Sequence, residues 1–378
     1  MASAIGPIAL LVFRLILSIE PGTSTQLTDA IQTRKSPSFR RCLSKAKQEL
    51  NLAVLPSDCH EDIQNFYCQK VQDVGSKPYL EKAARGCGED GGPRSPDLKH
   101  VDYAPAKIGY VVLSHQYPRS VKRLVMRLYE PEASTFAVHV DSKSPRVLEE
   151  LRAWREAEGM QDAVRVFSEF DVTRGGPAML RAELRGVAVL LDASLRWDFC
   201  VLLSEQDYPL RGNRVLAEWL WVHGGASFVS VDEGECERDV SFQCGSRVVS
   251  LSGGAQFPKL PGIVYGSGSQ WFVLSRALAS EIHAGVRNAS SLVGLIYRDL
   301  SAVKQPDESF FQTVVLNSRH CSRYADYTLH WTDKASMREV RSDASEYRIL
   351  SPGVLQSPAD YLKLTEVRAR SLWAFFAR

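Results

Sequence analysis

The sequence lacks a large excess of charge of either sign and any internal repeat. Lys and Arg number 46 against 44 Asp and Glu, which gives a formal net charge of +2. Because a dedicated nucleic-acid-binding protein carries a marked basic excess, the sequence predicts no nucleic-acid partner. The composition, with 44% hydrophobic and 24% charged residues, is that of a globular protein and excludes a mostly disordered or coiled-coil chain.

Several motifs of cofactor binding and catalysis are also missing. No Gly-x-Gly-x-x-Gly follows the first predicted strand and no phosphate loop occurs, which argues against dinucleotide-binding and P-loop proteins. The absence of Gly-x-Ser-x-Gly argues against a serine hydrolase. The sequence contains no Cys-x-x-Cys pair, which argues against a zinc ribbon. It also contains no Asp-x-Asp, the carboxylate pair that suits a divalent cation bound to a diphosphate.

What is present places the chain in an oxidising compartment. Eight cysteines, four of them before residue 90, favour disulfides, whereas Cys200 lies in an apolar run and is predicted to be a buried free thiol. Asn288-Ala289-Ser290 is an N-glycosylation sequon and gives weak support to the same compartment. The apolar run at 5–18, interrupted by Arg14, suits a signal peptide or signal-anchor at 1–22, with a buried N-terminal helix as the alternative.

Two further segments follow. Residues 23–104 are polar, contain four cysteines, and are predicted to be a stem or linker, or else a disordered tether. From residue 105 to 378, short apolar runs typical of buried strands alternate with helical apolar periodicity. The sequence therefore predicts an α/β fold, a mostly parallel sheet with helices on both faces. Predicted strands cover residues 108–114, 136–140, 164–167, 199–203, 227–231 and 271–274.

Ligands of such sheets bind at the carboxyl ends of the strands. The segments predicted to line this crevice are 114–115, Asp141, 174–176 and 205–207. In the last of these, Glu205 and Asp207 form either a carboxylate pair for a metal ion or part of a simple turn. His139 is predicted to be a packed core histidine.

Pro306-Asp307 before a run of periodic apolar residues is typical of a helix start. Glu308 then lies in the first helical turn, where the helix dipole favours the ionised carboxylate. From this pattern alone, Glu308 either completes a helix N-terminus or serves as a general base. Asp307 is predicted to be a helix cap.

Six short motifs occur in register between residues 107 and 378. They are Val138-His139-Val140-Asp141, Arg174-Gly175-Gly176, Ser204-Glu205-Gln206-Asp207-Tyr208-Pro209-Leu210, Gly268-Ser269-Gln270-Trp271-Phe272, the run from Pro306 to Asn317, and Phe375-Phe376-Ala377-Arg378. Together they resemble the branching-enzyme family of glycosyltransferases, which includes mucin-type branching N-acetylglucosaminyltransferases, peptide O-xylosyltransferases and plant glucuronosyltransferases. The stretch from Glu308 to Cys321 most resembles the xylosyltransferase branch.

The resemblance implies a GT-A-like fold, a UDP-sugar donor, inversion at the anomeric carbon and no required metal. It implies that Glu308 is the general base, that Asp141 contacts the uracil or ribose, and that Arg378 stabilises the diphosphate. In the family a Lys follows the residue that Arg378 matches, and this sequence ends at Arg378.

Two positions depart from the xylosyltransferase pattern. Gln270 stands where those enzymes carry an Asp near the acceptor, and Arg174 stands where they carry a Trp near the donor sugar. Gln270 keeps hydrogen-bonding capacity without charge, and Arg174 either suits an acidic sugar or is a surface residue. Trp271 either packs in the core or stacks on an acceptor sugar.

The predicted function is transfer of xylose or N-acetylglucosamine from a UDP-sugar to a hydroxyl of a protein or glycoprotein. The alternative is a non-catalytic, glycan- or glycoprotein-binding relative with a degraded phosphate site. The expected location is the secretory pathway and the Golgi, as a type II membrane protein or a secreted one.

Overall fold

The computed structural model describes residues 41–44, 46, 57–75, 105–233, 240–244, 247–250, 259–331 and 376–377. The predictions for residues 1–22 and for Arg378 lie outside these residues. Among the residues that the structure describes, no helix combines the length and the apolar character that a bilayer crossing requires.

Strands and helices alternate through most of the described chain. The strands are β1 (Ile108–Ser114), β2 (Ser134–Val140), β3 (Val164–Phe167), β4 (Phe199–Ser204), β5 (Tyr208–Pro209), β6 (Ser227–Val229), β7 (Asp232–Glu233), β8 (Ser241–Cys244), β9 (Arg247–Ser250), β10 (Gly266–Ser267), β11 (Phe272–Ser275), β12 (Tyr324–Ala325), β13 (His330–Trp331) and β14 (Phe376–Ala377). The helices are α1 (His60–Gly75), α2 (Pro118–Leu128), α3 (Pro145–Ala157), α4 (Pro177–Leu191), α5 (Asn213–Val222), α6 (Arg276–Val286), α7 (Leu292–Leu300) and α8 (Phe310–Asn317). Short 3₁₀ turns cover Ser57–Cys59 and Pro306–Glu308.

The central sheet has seven strands in the order β12-β6-β11-β4-β1-β2-β3. Strand β1 pairs in parallel with both β2 and β4, and β2 pairs in parallel with β3. Strand β11 is antiparallel to its neighbours β4 and β6. The mostly parallel sheet predicted from the sequence is therefore confirmed.

Apolar cores cover both faces of this sheet, which explains why β1 is an unbroken apolar run. Tyr110 and Val112 point into the core beneath α2 and α3, and Val111 points into the opposite core beneath α4. Helix α2 begins with Pro118 in its first turn. Proline has no backbone N–H, and none is needed there because the first N–H groups of a helix have no acceptor within it. The buried face of α2 includes Val121 and Leu124, whose spacing of three positions puts them on one side of the helix.

Helix α4 approaches the sheet closely at Gly186. A Cβ at this position would lie 2.4 Å from Cγ1 of Val111, so the close contact requires glycine. Glu183 lies three residues earlier, on the same side of the helix. The close packing consequently buries the Glu183 side chain completely.

The N-terminal part of the described chain is joined covalently to the sheet domain. Disulfides connect Cys42 with Cys68 and Cys59 with Cys244, and the second links the region before residue 105 to β8. Ile63 of α1 packs with the same group of buried side chains. Cys200 is buried and free, as predicted, and burial raises the pKa of its thiol.

Strands β13, β14 and β5 form a small sheet that contains the described C-terminal residues. Strand β14 pairs with β5, where Ala377 lies opposite Tyr208. The ring of His330 on β13 stacks between Trp271 at 5.0 Å and Phe376 at 5.2 Å, measured between ring centroids. Residues 376–377 therefore lie beside the loop that follows β4.

Candidate active site

Asp141 lies immediately after β2, at the carboxyl edge of the sheet. Its backbone N–H donates to the Ser114 carbonyl at the end of β1, at 2.8 Å. The carboxylate is mostly buried and is held by Lys143, whose N–H lies 2.9 Å from Oδ1 and whose Nζ lies 3.0 Å from Oδ2. Lys143 was not among the predicted site residues, although its position two residues after Asp141 is a signal for such a contact.

The buried carboxylate of Glu205 organises the loop between β1 and α2. It accepts hydrogen bonds from the hydroxyl of Ser114 at 2.7 Å and from the backbone N–H groups of His115, Gln116 and Tyr117 at 3.0, 3.1 and 2.9 Å. Burial alone raises the pKa of Glu205. The hydrogen bonds from the His115 ring, Ser114 and the backbone outweigh burial and lower the pKa to about 2.

Glu205 also pairs with the imidazole of His115, with 2.9 Å between Oε1 and Nδ1. The hydrogen bond to Glu205 raises the pKa of His115, whose side chain is 55% exposed. Asp207 faces inward as well and accepts from the N–H of Ser204 at 2.6 Å. The two carboxylates thus accept hydrogen bonds from the loop before α2 and from the end of β4.

Glu308 occupies a different local structure from the one predicted. It ends the 3₁₀ turn Pro306–Glu308, and α8 begins only at Phe310 after Ser309 has departed from helical geometry with φ −138°. In a continuous α-helix, the Glu308 carbonyl would accept from the N–H four residues later. Here it accepts from the N–H of Gly268 at 2.9 Å. The prediction that Glu308 lies in the first turn of the helix is therefore wrong.

Two backbone hydrogen bonds bring the predicted site segments together. The first is the Gly268–Glu308 bond, and the second joins the N–H of Gln305 to the Gly175 carbonyl at 3.0 Å. Gln305 adopts the left-handed region with φ 53°, a strained conformation for a side-chain-bearing residue. Arg174 is consequently held, exposed, beside the turn that carries Glu308.

Gln270 and Trp271 follow Gly268 in the same loop. The side-chain amide of Gln270 donates to Oε1 of Glu183 at 3.2 Å. Trp271 is only 7% exposed, and His330 covers one face of its indole ring. Packing therefore accounts for most of the Trp271 surface.

Glu183 was not among the site residues predicted from the sequence. It lies on the apolar face of α4, near Leu180 and Val187, and a lone acid on such a face is the signal that marks it. Burial, followed by the charge of Asp307, raises the pKa of Glu183 well above its usual range; the hydrogen bond from Gln270 opposes this, and the charge of Glu308 adds a still smaller increase. Of the predicted site residues, Glu308, Gln270 and Arg174 thus share one cluster of loops, and Asp141 lies at the ends of β1 and β2.

Asp307 does not cap a helix, contrary to prediction. Its Oδ1 is buried with no hydrogen-bond partner in the described part of the chain, and α8 has no side-chain cap. Burial raises the pKa of Asp307 to about 7, and the neighbouring Glu308 adds to the increase. The helix geometry that a cap requires is absent because the 3₁₀ turn separates Asp307 from α8.

We expect Asp307→Asn to stabilise the protein at high pH. The folded state holds a proton on Asp307 that the unfolded state has lost above its ordinary pKa of 3.8, so the wild-type protein loses stability as the pH rises from about 4 to 7. At pH 8 the variant should gain up to about 4 kcal/mol in free energy of unfolding relative to wild type, and the gain should shrink toward pH 4. Urea unfolding across this range measures it, with the exposed Asp162→Asn as control. Parallel pH profiles for Asp307→Asn and wild type would contradict the assignment.

Comparison with known proteins covers most of this chain. The family model described as "Branch: Core-2/I-Branching enzyme" matches residues 108–357. This range includes the strands β1–β4, the Asp141 loop and the turn that carries Glu308.

Individual relatives share about a third of their aligned residues with the chain. Xylosyltransferase 2 of Homo sapiens is 30% identical over 342 residues, which cover 85% of this chain and 38% of the relative. Xylosyltransferase oxt of Drosophila melanogaster is 28% identical over 327 residues, covering 83% of this chain and 35% of the relative. Xylosyltransferase 2 of Rattus norvegicus is 32% identical over 286 residues, which cover 72% of this chain and 32% of the relative. The chain therefore spans about a third of the length of these proteins.

Proposed function

Because the chain belongs to the Core-2/I-branching enzyme family, we propose that it is an inverting glycosyltransferase that uses a UDP-sugar and a protein or glycoprotein acceptor. The similarity to xylosyltransferases from three animals supports xylose as the sugar, with N-acetylglucosamine as the second candidate. The observation that carries the proposal is the position of Glu308. This partly exposed carboxylate lies in a turn that hydrogen bonds tie to the Gln270 loop and to the Arg174 turn.

The proposed mechanism is a single displacement. The acceptor hydroxyl oxygen attacks the anomeric carbon, its proton passes to the carboxylate of Glu308, and the bond between that carbon and the UDP oxygen breaks. Asp141 accepts hydrogen bonds from the uracil or ribose. Arg378 stabilises the negative diphosphate as it leaves.

Arg174, Gln270 and Trp271 complete the proposed site. Arg174 lies on the donor side and favours a sugar with acidic or hydroxyl oxygens near the turn. Gln270 hydrogen-bonds the acceptor, and Trp271 offers the acceptor only the small part of its ring that remains exposed. The transfer requires no metal in this proposal, because Arg378 is proposed to supply the positive charge that stabilises the diphosphate.

The test is UDP release by the purified full chain with a panel of UDP-sugars, in the presence of a chelator. A serine-containing peptide and a mucin-type glycopeptide serve as acceptors. Release from one donor, together with mass addition to an acceptor, supports the transferase and identifies its sugar. Binding of UDP without turnover of any donor would favour the non-catalytic relative instead.

We also propose a location in the secretory pathway, in the Golgi membrane or secreted from it. The disulfides Cys42–Cys68 and Cys59–Cys244 support an oxidising compartment.

One modification tests this location directly. Asn288 starts the single Asn-x-Ser/Thr triplet of the sequence, and its side chain is exposed at the rim of an open cleft of about 610 Å³. We expect protein from secretory expression to carry one N-linked glycan, lost in Ser290→Ala and retained in the control Ser280→Ala. Intact mass before and after glycosidase treatment measures it. An unmodified Asn288 in secreted protein would contradict the prediction.

A further inference from the structure

Glu183 is an acidic residue on a helix face that is otherwise apolar and buried. It lies on the sheet-facing side of α4 and is fully buried. It has no cationic partner in the described part of the chain, and its Oε2 makes no hydrogen bond there. Burial of a carboxyl group in such a place costs free energy unless the group stays protonated, and the raised pKa of Glu183 agrees with a neutral acid.

The contact that Glu183 does make is with the loop that carries Gln270. Oε1 of Glu183 accepts from Nε2 of Gln270 at 3.2 Å. Because Oε2 has no partner among the described residues, acid and amide share one hydrogen bond and do not form a two-bonded ring. This leaves the other end of the Gln270 amide, the carbonyl oxygen Oε1, without a hydrogen bond from any described residue.

The Gln270 loop is fixed relative to Glu308. The Gly268 N–H donates to the Glu308 carbonyl, and the side-chain amide of Gln312 on α8 donates to the Ser269 carbonyl at 2.7 Å. A Cβ at Gly268 would lie 2.0 Å from the Ser230 carbonyl oxygen, which leaves the loop little freedom to move. The direction of the Gln270 amide is therefore set by Glu183 on a backbone that is already fixed.

We propose that Glu183 is a positioning residue that binds the NH₂ end of the Gln270 amide and so turns the Gln270 carbonyl oxygen toward the acceptor, beside Glu308. The inference rests on the proposed transferase function and adds the class of acceptor. The site takes an acceptor with a hydroxyl or N–H donor next to the hydroxyl that attacks, because the Gln270 carbonyl oxygen only accepts hydrogen bonds. Without Glu183, the amide is free to rotate and present its NH₂ group instead.

Kinetics of two variants test the proposal. Glu183→Met keeps the length of the side chain and removes the hydrogen bond, whereas Glu183→Gln keeps an oxygen that accepts from Gln270. We expect kcat/KM for the acceptor to fall about 10–100-fold in Glu183→Met and to stay within about threefold of wild type in Glu183→Gln. The fall should appear mainly in the acceptor KM, with UDP affinity retained in a calorimetric titration.

A double-mutant cycle with Gln270→Met checks that the two residues act together. If Glu183 acts through Gln270, the double variant should lose no more acceptor kcat/KM than either single variant. Additive losses, or a Glu183→Met variant that is folded by circular dichroism and has the acceptor KM of wild type, would overturn the proposal. If Glu183→Met does not fold, Glu183→Leu, which also removes the hydrogen bond, replaces it in the cycle.

A second readout does not depend on activity. In protein labelled with ¹⁵N-glutamine, the NH₂ protons of Gln270 should exchange with water more slowly in wild type than in Glu183→Met. The Gln270→Met variant assigns the resonance by its loss. If wild type turns over no donor, the proposed function fails, and equal exchange rates in the two proteins would separately overturn the role of Glu183.

Discussion

Replacing Glu308 with Gln is expected to lower the rate of sugar transfer by about 10²–10⁴-fold, the usual contribution of a positioned general base. The amide of Gln has nearly the shape of the carboxylate but cannot take the proton of the acceptor hydroxyl. The fold should be unaffected, because the contact that Glu308 makes with Gly268 uses its backbone carbonyl. Affinity for UDP should also persist, since Asp141 lies at the ends of β1 and β2.

The measurement is initial-rate transfer to an acceptor, with UDP binding measured in parallel by titration. Glu158→Gln is the matched control, because Glu158 is an exposed acid at the end of α3. We expect this control to transfer at the wild-type rate. A Glu308→Gln variant that retained transfer within about tenfold of wild type would assign the base to another group.

Replacing Glu205 with Ala is expected to destabilise the protein by about 3–5 kcal/mol, the largest stability effect that we predict. The substitution leaves the backbone N–H groups of residues 115–117 without their acceptor and removes the partner of His115. Since a domain of this kind has a total stability of about 5–15 kcal/mol, the loss is a large fraction of it. Urea unfolding followed by circular dichroism measures the difference.

The matched control is Glu218→Ala, which removes a surface ion pair with Arg214 at 3.0 Å. Exposed pairs of this type contribute about 0.3–0.5 kcal/mol, so the control should lie close to wild type. Equal losses for the two variants would show that the Glu205 hydrogen bonds contribute little to stability.

The lowered pKa of Glu205 also makes the free energy of unfolding depend on pH. Its pKa of about 2 in the folded state lies below its ordinary value of 4.5, so the folded state binds fewer protons than the unfolded state between these values. The stabilisation is complete above about pH 4.5 and is lost as the pH falls toward 2, to the extent of about 3 kcal/mol. In Glu205→Gln this part of the acid sensitivity should disappear, and Asp307→Asn should leave it unchanged.

The sequence by itself determined the elements of the fold. Apolar runs and helical periodicity are local properties, and so β1 was predicted with its correct bounds, and the alternation of strands and helices predicted the mostly parallel sheet. The free Cys200 followed from its position in a buried strand. The motifs around Asp141 and Glu308 placed the chain in its family without any knowledge of the contacts that these residues make.

Only the tertiary structure decided how the carboxyl groups of the site behave. Glu205 receives its hydrogen bonds from residues about 90 positions earlier in the chain, and Glu183 meets Gln270 across 87 positions. Local pattern placed Glu308 in the first turn of α8 and made Asp307 its cap. Both predictions failed because a separate 3₁₀ turn precedes α8, and the Glu308 carbonyl accepts from the Gly268 loop. Whether an acid is neutral or ionised depends on its exposure to water and on the hydrogen-bond donors around it. Residues distant in the sequence determine both, and they come together only on folding.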